Sequence, residues 1–196
     1  MITVDPNGAE KVKGSGREIE ERFAEMMEAN GGWVIFTTAG DVAKEVALLV
    51  KGEGTVLVDP RLPGLAAELE RLGVEAAEAL PQASLGAVLP HAGAAVTTAV
   101  AGVAATGSVL VGPGAGNEGL LAVVPPHHVV VLAAGSIVPE IADALAKAAP
   151  LVANPGSRLV FVSGPSRTSD IELTTVLGVH GPLRLDVLVV AEGSEA

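Results

Sequence analysis

The chain has 196 residues, no cysteine and a formal charge of −11, which fits one domain that buries its core without disulfides. The lack of cysteine excludes thiolate metal sites and an iron–sulphur cluster held by this chain alone. An acidic chain with scattered lysine and arginine argues against nucleic-acid binding. The apolar runs are too short to span a membrane, and the start carries no signal-like apolar stretch, so we expect a cytoplasmic protein with no membrane span.

Strands and helices alternate along the first half. Residues 1–16 are polar and glycine-bearing, and we expect a loose arm there, followed by a single domain over residues 17–196. Apolar spacing predicts helices at 17–30, 41–51 and 62–72, with Asp41 capping the second, and strands at 33–37 and 55–58. This alternation predicts an α/β fold with a mainly parallel sheet and flanking helices.

The middle of the chain is rich in glycine and alanine. We interpret 96–98, 108–111, 121–124 and 128–132 as short strands, some of them antiparallel. A helix at 137–149, closed by Pro150, a strand at 159–162, a helix at 169–177 ended by Gly178 and a strand at 185–190 complete the prediction.

The segment 163–172 is the most distinctive local feature. A predicted strand leads into it, and ligands of open α/β sheets bind at strand carboxyl ends. It offers backbone N–H groups, several hydroxyls and one guanidinium, which suit a carboxylate or a phosphate. The ligand-binding candidates are Ser163, Gly164, Ser166, Arg167 and Thr168. For Arg167 the competing interpretation is a surface salt bridge.

Two carboxylates in this segment are weak catalytic candidates. Ser169 and Glu172 have the spacing of a capping box, and Asp170 suits a first helical turn whatever the function. A structural role for Asp170 and Glu172 therefore stays open beside a catalytic one.

Gly114, Gly116 and Gly119 spell G-x-G-x-x-G after a predicted strand. A dinucleotide-binding fingerprint needs a helix next, whereas the chain runs apolar into Pro125 and Pro126. We interpret the glycines as a hairpin or a loop beside a ligand.

The four histidines do not have metal-ligand spacing. His127 and His128 are adjacent and point to opposite faces of a strand, and His91 lies in a predicted loop. His180 follows the helix end at Gly178, where the chain can return to the 163–168 loop, and it is a weak acid–base candidate. We predict no metal site.

The stretch VSGPSRTSDIELTTVLGVHGPLRLDVLVV, residues 162–190, resembles the closing signature of the LUD family. Residues 105–109, ATGSV, resemble that family's Thr-Gly turn into a strand, which adds Thr106 and Gly107 to the ligand-binding candidates. The glycine loop 112–119 and residues 125–131 also fit, so the resemblance covers 96–190 well and the first half in outline.

The resemblance implies the α/β fold type of ribose-5-phosphate isomerases, glucosamine-6-phosphate deaminases and CoA transferases. It also implies a part in bacterial oxidation of L-lactate to pyruvate, together with partner proteins that carry the iron–sulphur clusters. No cofactor is then expected in this chain. The family commonly has acidic residues where this chain has Val100 and Ala105. If those groups form a catalytic set, this chain has lost much of it.

Three functions remain open. The first is an accessory subunit of an iron–sulphur L-lactate oxidation system, with Arg167 anchoring a small carboxylate or a partner's acidic group. The second is a free-standing enzyme acting on a phosphorylated sugar or an acyl-CoA, with Asp170 or Glu172 as its carboxylate. The third is a regulatory module that binds such a metabolite. An exterior rich in alanine and valine would suit a homodimer.

Overall fold

The computed structural model describes residues 18–79, 89–112, 118–152, 158–169, 175–177 and 181–191, with the backbone alone at 90, 118, 167–169 and 175–177. In chain order the described helices are α1 (Glu18–Ala29), α2 (Val42–Leu49), α3 (Leu65–Arg71), α4 (Glu118–Leu121) and α5 (Ile141–Ala148). The described strands are β1 (Trp33–Thr37), β2 (Thr55–Val58), β3 (Ala76–Glu78), β4 (Ala92–Val103), β5 (Ser108–Val111), β6 (His127–Ala133), β7 (Ile137–Val138), β8 (Val160–Val162), β9 (Arg167–Ser169), β10 (Thr175–Leu177) and β11 (Arg184–Val190). Each of these helices is too short or too polar to cross a membrane.

The central sheet has the strand order β1-β11-β6-β4-β2-β3, and all of these neighbours pair in parallel. Its inner strands are covered on both faces, which explains why β6 and β11 are apolar along almost their whole length. The predicted α/β fold with a mainly parallel sheet and flanking helices is confirmed.

Two hydrophobic clusters cover the two faces of this sheet. On one face Phe23 and Met27 of α1 are fully buried against strand residues that include Val130 and Val187. On the other face α2 and α3 bury a second cluster around Val129 and Leu188. Full burial of a side chain such as Phe23 or Met27 contributes roughly 1.5–3 kcal/mol, so α1 is firmly held.

The glycine-rich middle forms an antiparallel extension, as the sequence predicts. β4 pairs with β5 from Ala99 to Val103, with an irregularity between Ala99 and Ala101, and β5 pairs in turn with β8. β7 joins β4 in parallel at Gly102 and Val103. A side chain at Gly102 would meet Leu132 at 2.7 Å, so this position accepts no larger residue without repacking the core.

Several predicted elements are wrong. The predicted helix at 169–177 is replaced, at its described ends, by strands β9 and β10, which pair antiparallel. Thr175 and Val176 are β-branched, which favours a strand. The predicted strand at 121–124 is the end of α4 and a turn, and the predicted helix at 137–149 begins with β7 before Glu140 caps α5. Asp41 occupies the N-cap position of α2, but its side chain makes no capping hydrogen bond.

Three smaller differences concern element bounds. The strand predicted at 96–98 is part of the 12-residue β4, α3 begins three residues later than the predicted start at 62, and β3 was not predicted. The arm at 1–16, Gly114, Gly116 and Gly178 lie outside the described residues. The division into an arm and one domain therefore stays a prediction.

Candidate functional site

A chain of three hydroxyl groups joins the β4–β5 turn to the end of β8. Ser108 is buried, with 4% of its surface exposed, and its Oγ lies 2.8 Å from Thr106 Oγ1 and 2.6 Å from Ser163 Oγ. Ser163 is exposed. Buried Ser108 therefore links the partly buried Thr106 to Ser163, a residue exposed at the surface.

The carboxyl end of α1 fixes this hydroxyl chain in place. Asn30 Nδ2 donates a hydrogen bond of 2.8 Å to the carbonyl of Thr106. Gly164 has φ +92°, and a Cβ there would lie 2.4 Å from the Asn30 carbonyl oxygen. Gly107 has φ +59°, and a Cβ there would lie 2.3 Å from the backbone of Met26. Both glycines are required because the helix end approaches too closely for any side chain.

The loop after Ser163 returns to the start of β11. The backbone N–H of Ser166 donates to the carbonyl of Pro182 at 2.8 Å, and a Cβ on Gly181 would lie 3.0 Å from Ser166 Cβ. Arg167 and Thr168 follow in β9, where their backbones pair with Leu177 and Val176; their side chains lie outside the description.

The structure thus brings together four of the predicted ligand-binding residues: Thr106, Gly107, Ser163 and Gly164. Ser166 lies two residues further along the same loop. Their binding of a ligand stays a prediction. The weak catalytic candidates Asp170, Glu172 and His180 lie outside the described residues.

Val100 and Ala105, where the family commonly has acidic residues, are partly buried and pack against an apolar cluster that includes Ala144 and Ala148 of α5. An acidic side chain at either position would border apolar groups here. These two positions serve packing in this chain.

An ion pair that sequence reasoning missed lies at the carboxyl end of β2. Asp59 is fully buried and holds Arg61 through the Arg61 backbone N–H at 2.9 Å, Nε at 3.1 Å and a terminal nitrogen at 2.6 Å. The same guanidinium lies 3.4 Å from the Thr98 carbonyl of β4. The chain leaves β2 towards β3 but leaves β4 towards β6, so the pair lies at the topological switch point where open α/β sheets bind ligands.

A second missed cluster lies at the amino ends of the central strands. His127 is 3% exposed, with Nδ1 2.6 Å from Glu53 Oε2 and Nε2 2.7 Å from Asp186 Oδ2. Arg184 Nε donates to the same Asp186 oxygen at 2.8 Å. Burial acts to lower the pKa of His127, but the hydrogen bonds and charges of Asp186 and Glu53 outweigh it and raise the pKa above 6.5. The sequence feature that could have indicated this cluster is Asp186, which lies between Leu185 and Val187 inside a mainly apolar strand.

The pKa of the neighbouring His128 is shifted in the opposite direction. His128 points to the other face of β6, as predicted, and its Nε2 lies 2.8 Å from Thr97 Oγ1 in the core. Complete burial, together with the charge of His127, lowers the pKa of His128 to about 3. His128 is therefore a neutral core residue.

Comparison with known proteins agrees with this fold. Lactate utilization protein C of Halalkalibacterium halodurans is 31% identical over 140 residues, which cover 68% of this chain and 60% of that protein. Lactate utilization protein C of Deinococcus radiodurans is 30% identical over 178 residues, 90% of this chain and 81% of that protein. The crystal structure of a DUF162 family protein from Deinococcus radiodurans has a TM-score of 0.69 and 24% identity, covering 91% of this chain and 99% of that one.

The chain spans less than two thirds of the length of the Halalkalibacterium halodurans protein. The family model for the LUD domain, however, matches residues 20–190, which include every described strand. This chain therefore belongs to the LUD domain family.

Proposed function

We propose that this protein works in lactate utilization, as an accessory subunit beside partner proteins that carry the iron–sulphur clusters. The support comes from family membership and from relatives named lactate utilization protein C. The chain contains no cysteine, so the electrons released from lactate need another carrier.

The proposed ligand is a small carboxylate bound at the 163–168 loop. The observation that carries this proposal is the Thr106–Ser108–Ser163 hydroxyl chain, which ends at the exposed residue Ser163. Ser163 already engages Ser108, so its orientation is set before a ligand arrives. Arg167 follows four residues later in β9 and is the proposed cationic anchor, since arginine binds a carboxylate through two parallel hydrogen bonds.

Titration calorimetry with L-lactate and pyruvate tests this binding directly. We expect Ser163→Ala and Arg167→Ala each to weaken binding at least about tenfold, the equivalent of ~1.4 kcal/mol. Ser136→Ala is the matched control, because the half-buried Ser136 lies in a short helical turn after β6 and is not a member of the hydroxyl chain. Equal affinities in all four proteins would rule out this loop as the site.

A second candidate function is binding or conversion of a phosphorylated sugar or an acyl-CoA. The Asp59–Arg61 pair favours it, since a fixed guanidinium at the switch point of the sheet suits an anionic ligand. Binding of inorganic phosphate and of coenzyme A to the purified protein, weakened in Arg61→Lys, would support this alternative. Equal binding of phosphate and coenzyme A by the wild type and Arg61→Lys, or no binding by either protein, would contradict it.

A further inference from the structure

Glu53 approaches the central sheet from the loop between α2 and β2. Gly52 and Gly54 on either side of it both have φ +82°, a conformation that other residues rarely adopt. The carbonyl of Glu53 lies so close to β4 that a Cβ on Gly93 would sit 1.4 Å from its oxygen. The backbone of the loop therefore packs on the sheet at Glu53, between two glycines with a left-handed backbone.

The charges along this edge of the sheet alternate in sign. Arg184, Asp186, His127 and Glu53 form one row, and each contact in it is 2.8 Å or shorter. Both ring nitrogens of His127 face carboxylate oxygens, and only the imidazolium can donate from both nitrogens at once. The row is therefore complete only while His127 is protonated.

We propose that the Glu53–His127 contact is a pH-sensitive switch: loss of one proton from His127 releases Glu53 and the loop 51–54, whereas the contact with Asp186 persists. A neutral imidazole keeps one N–H, so one carboxylate must lose its donor. Asp186 is fully buried and its Oδ1 has no hydrogen-bond partner among the described residues, so a further loss there is costly. The Glu53 side chain is 28% exposed, so water can replace the imidazole N–H.

The titratable and charged groups around His127 agree with this order of release. Glu53 faces Nδ1 from the loop, Asp186 faces Nε2 from β11, and Arg184 is linked through Asp186. His128 adjoins His127 on β6 but points to the other face and is neutral above about pH 3. The folded pKa of His127 lies above its ordinary 6.5, so the contact is fully present below pH 6.5 and is lost as pH rises through that folded pKa.

Release of the loop would also alter the neighbouring surface. Lys51, Gly52 and Gly54 line a groove of about 550 Å³ together with Leu72 and Val74. The state of His127 therefore determines the shape of this groove.

Hydrogen exchange of backbone amides, measured by NMR from about pH 6 to pH 9, tests the switch. After correction for intrinsic exchange, we expect the amide of Glu53, which donates to the Val50 carbonyl, to lose about tenfold or more protection as pH rises, while the amides of 129–131 in β6 stay protected. In Glu53→Gln the side-chain amide can accept from the ring N–H or donate to an unprotonated Nδ1, so the loop protection should not change with pH. Glu75→Gln is the control, because Glu75 bonds the Thr55 hydroxyl and not a histidine, and it should behave like the wild type.

The ¹⁵N shifts of the His127 ring provide a second measurement that does not depend on a variant. The neutral ring should carry its proton on Nε2, towards Asp186. A proton on Nδ1, loop protection that is constant with pH in the wild type, or equal pH dependence in Glu53→Gln would each overturn the proposal.

Discussion

The substitution Gly164→Ala tests how the end of α1 fixes the hydroxyl chain. At φ +92° any side chain is strained, and left-handed backbone costs an L-residue roughly 1–2 kcal/mol. The new Cβ would also lie 2.4 Å from the Asn30 carbonyl oxygen, so the loop must move by about 1 Å to reach ordinary contact. That movement breaks the Ser108–Ser163 hydrogen bond, a further loss of about 1 kcal/mol.

We therefore expect Gly164→Ala to lower the free energy of unfolding by roughly 2–4 kcal/mol, measured by urea denaturation. The melting temperature should fall by about 5–15 °C. Carboxylate binding should fall with it, because Ser163 leaves its position.

Gly73→Ala is the matched control. Gly73 has φ +83°, nearly the same backbone conformation, but a Cβ there meets nothing within 4 Å. Its cost should be the backbone strain alone, roughly 1–2 kcal/mol, and it should leave carboxylate binding unchanged. Equal destabilisation by the two substitutions would refute the close approach of Asn30 to the loop.

Three further predictions follow from buried polar contacts. Ser108→Ala should lower the free energy of unfolding by about 1–2 kcal/mol, because two hydroxyls lose their common partner; an unchanged denaturation midpoint would contradict this. Asp59→Asn should lower the free energy of unfolding by roughly 1–3 kcal/mol, because a neutral amide binds the partly exposed Arg61 more weakly. Because Asp59 is fully buried, 0.5 M salt should not cause the same loss of stability in the wild type. Since the folded pKa of His128 is about 3, the unfolded state binds its proton first, and wild-type stability should fall below pH 6.5 with a slope of up to about 1.4 kcal/mol per pH unit. His128→Gln should flatten that slope in denaturation between about pH 5 and 6.5, and an identical slope would show that another group causes it.

The parallel core was predictable because its signals are local. Trp33–Thr37 and Thr55–Val58 are mainly apolar runs, each directly preceded by a glycine, and both strands have the predicted bounds. The Gly31-Gly32 pair ends α1 as expected, with Gly31 at φ +86°. Periodicity and helix-ending glycines therefore determine this half of the fold with little help from distant contacts.

The errors arise where pairing between distant segments decides the conformation. Ile137 and Val138 can continue the helical pattern that follows them, but β4 offers them a partner at Gly102 and Val103. The helix therefore begins only at the capping box formed by Glu140. The full length of the 12-residue strand β4 was likewise not predicted, since its two halves pair with different strands.

In the candidate site, too, residues with a local sequence signal were predictable, whereas residues that act through distant contacts were not. Ser163 and Gly164 stand out in the sequence because a strand leads into a loop rich in hydroxyl groups and glycine. Asn30, 76 residues before the Thr106 it holds, has no signal of its own. The Glu53–His127–Asp186 row joins three distant segments, so only the folded chain brings these residues together.

Growth on L-lactate of the source organism, with this gene deleted and then restored, tests the central claim most directly. A role in lactate utilization predicts that the deletion strain fails to grow on L-lactate, that the wild-type gene restores growth, and that Ser136→Ala restores it as well, whereas Ser163→Ala and Arg167→Ala restore it poorly. Normal growth of the deletion strain on L-lactate as the sole carbon source would contradict the claim.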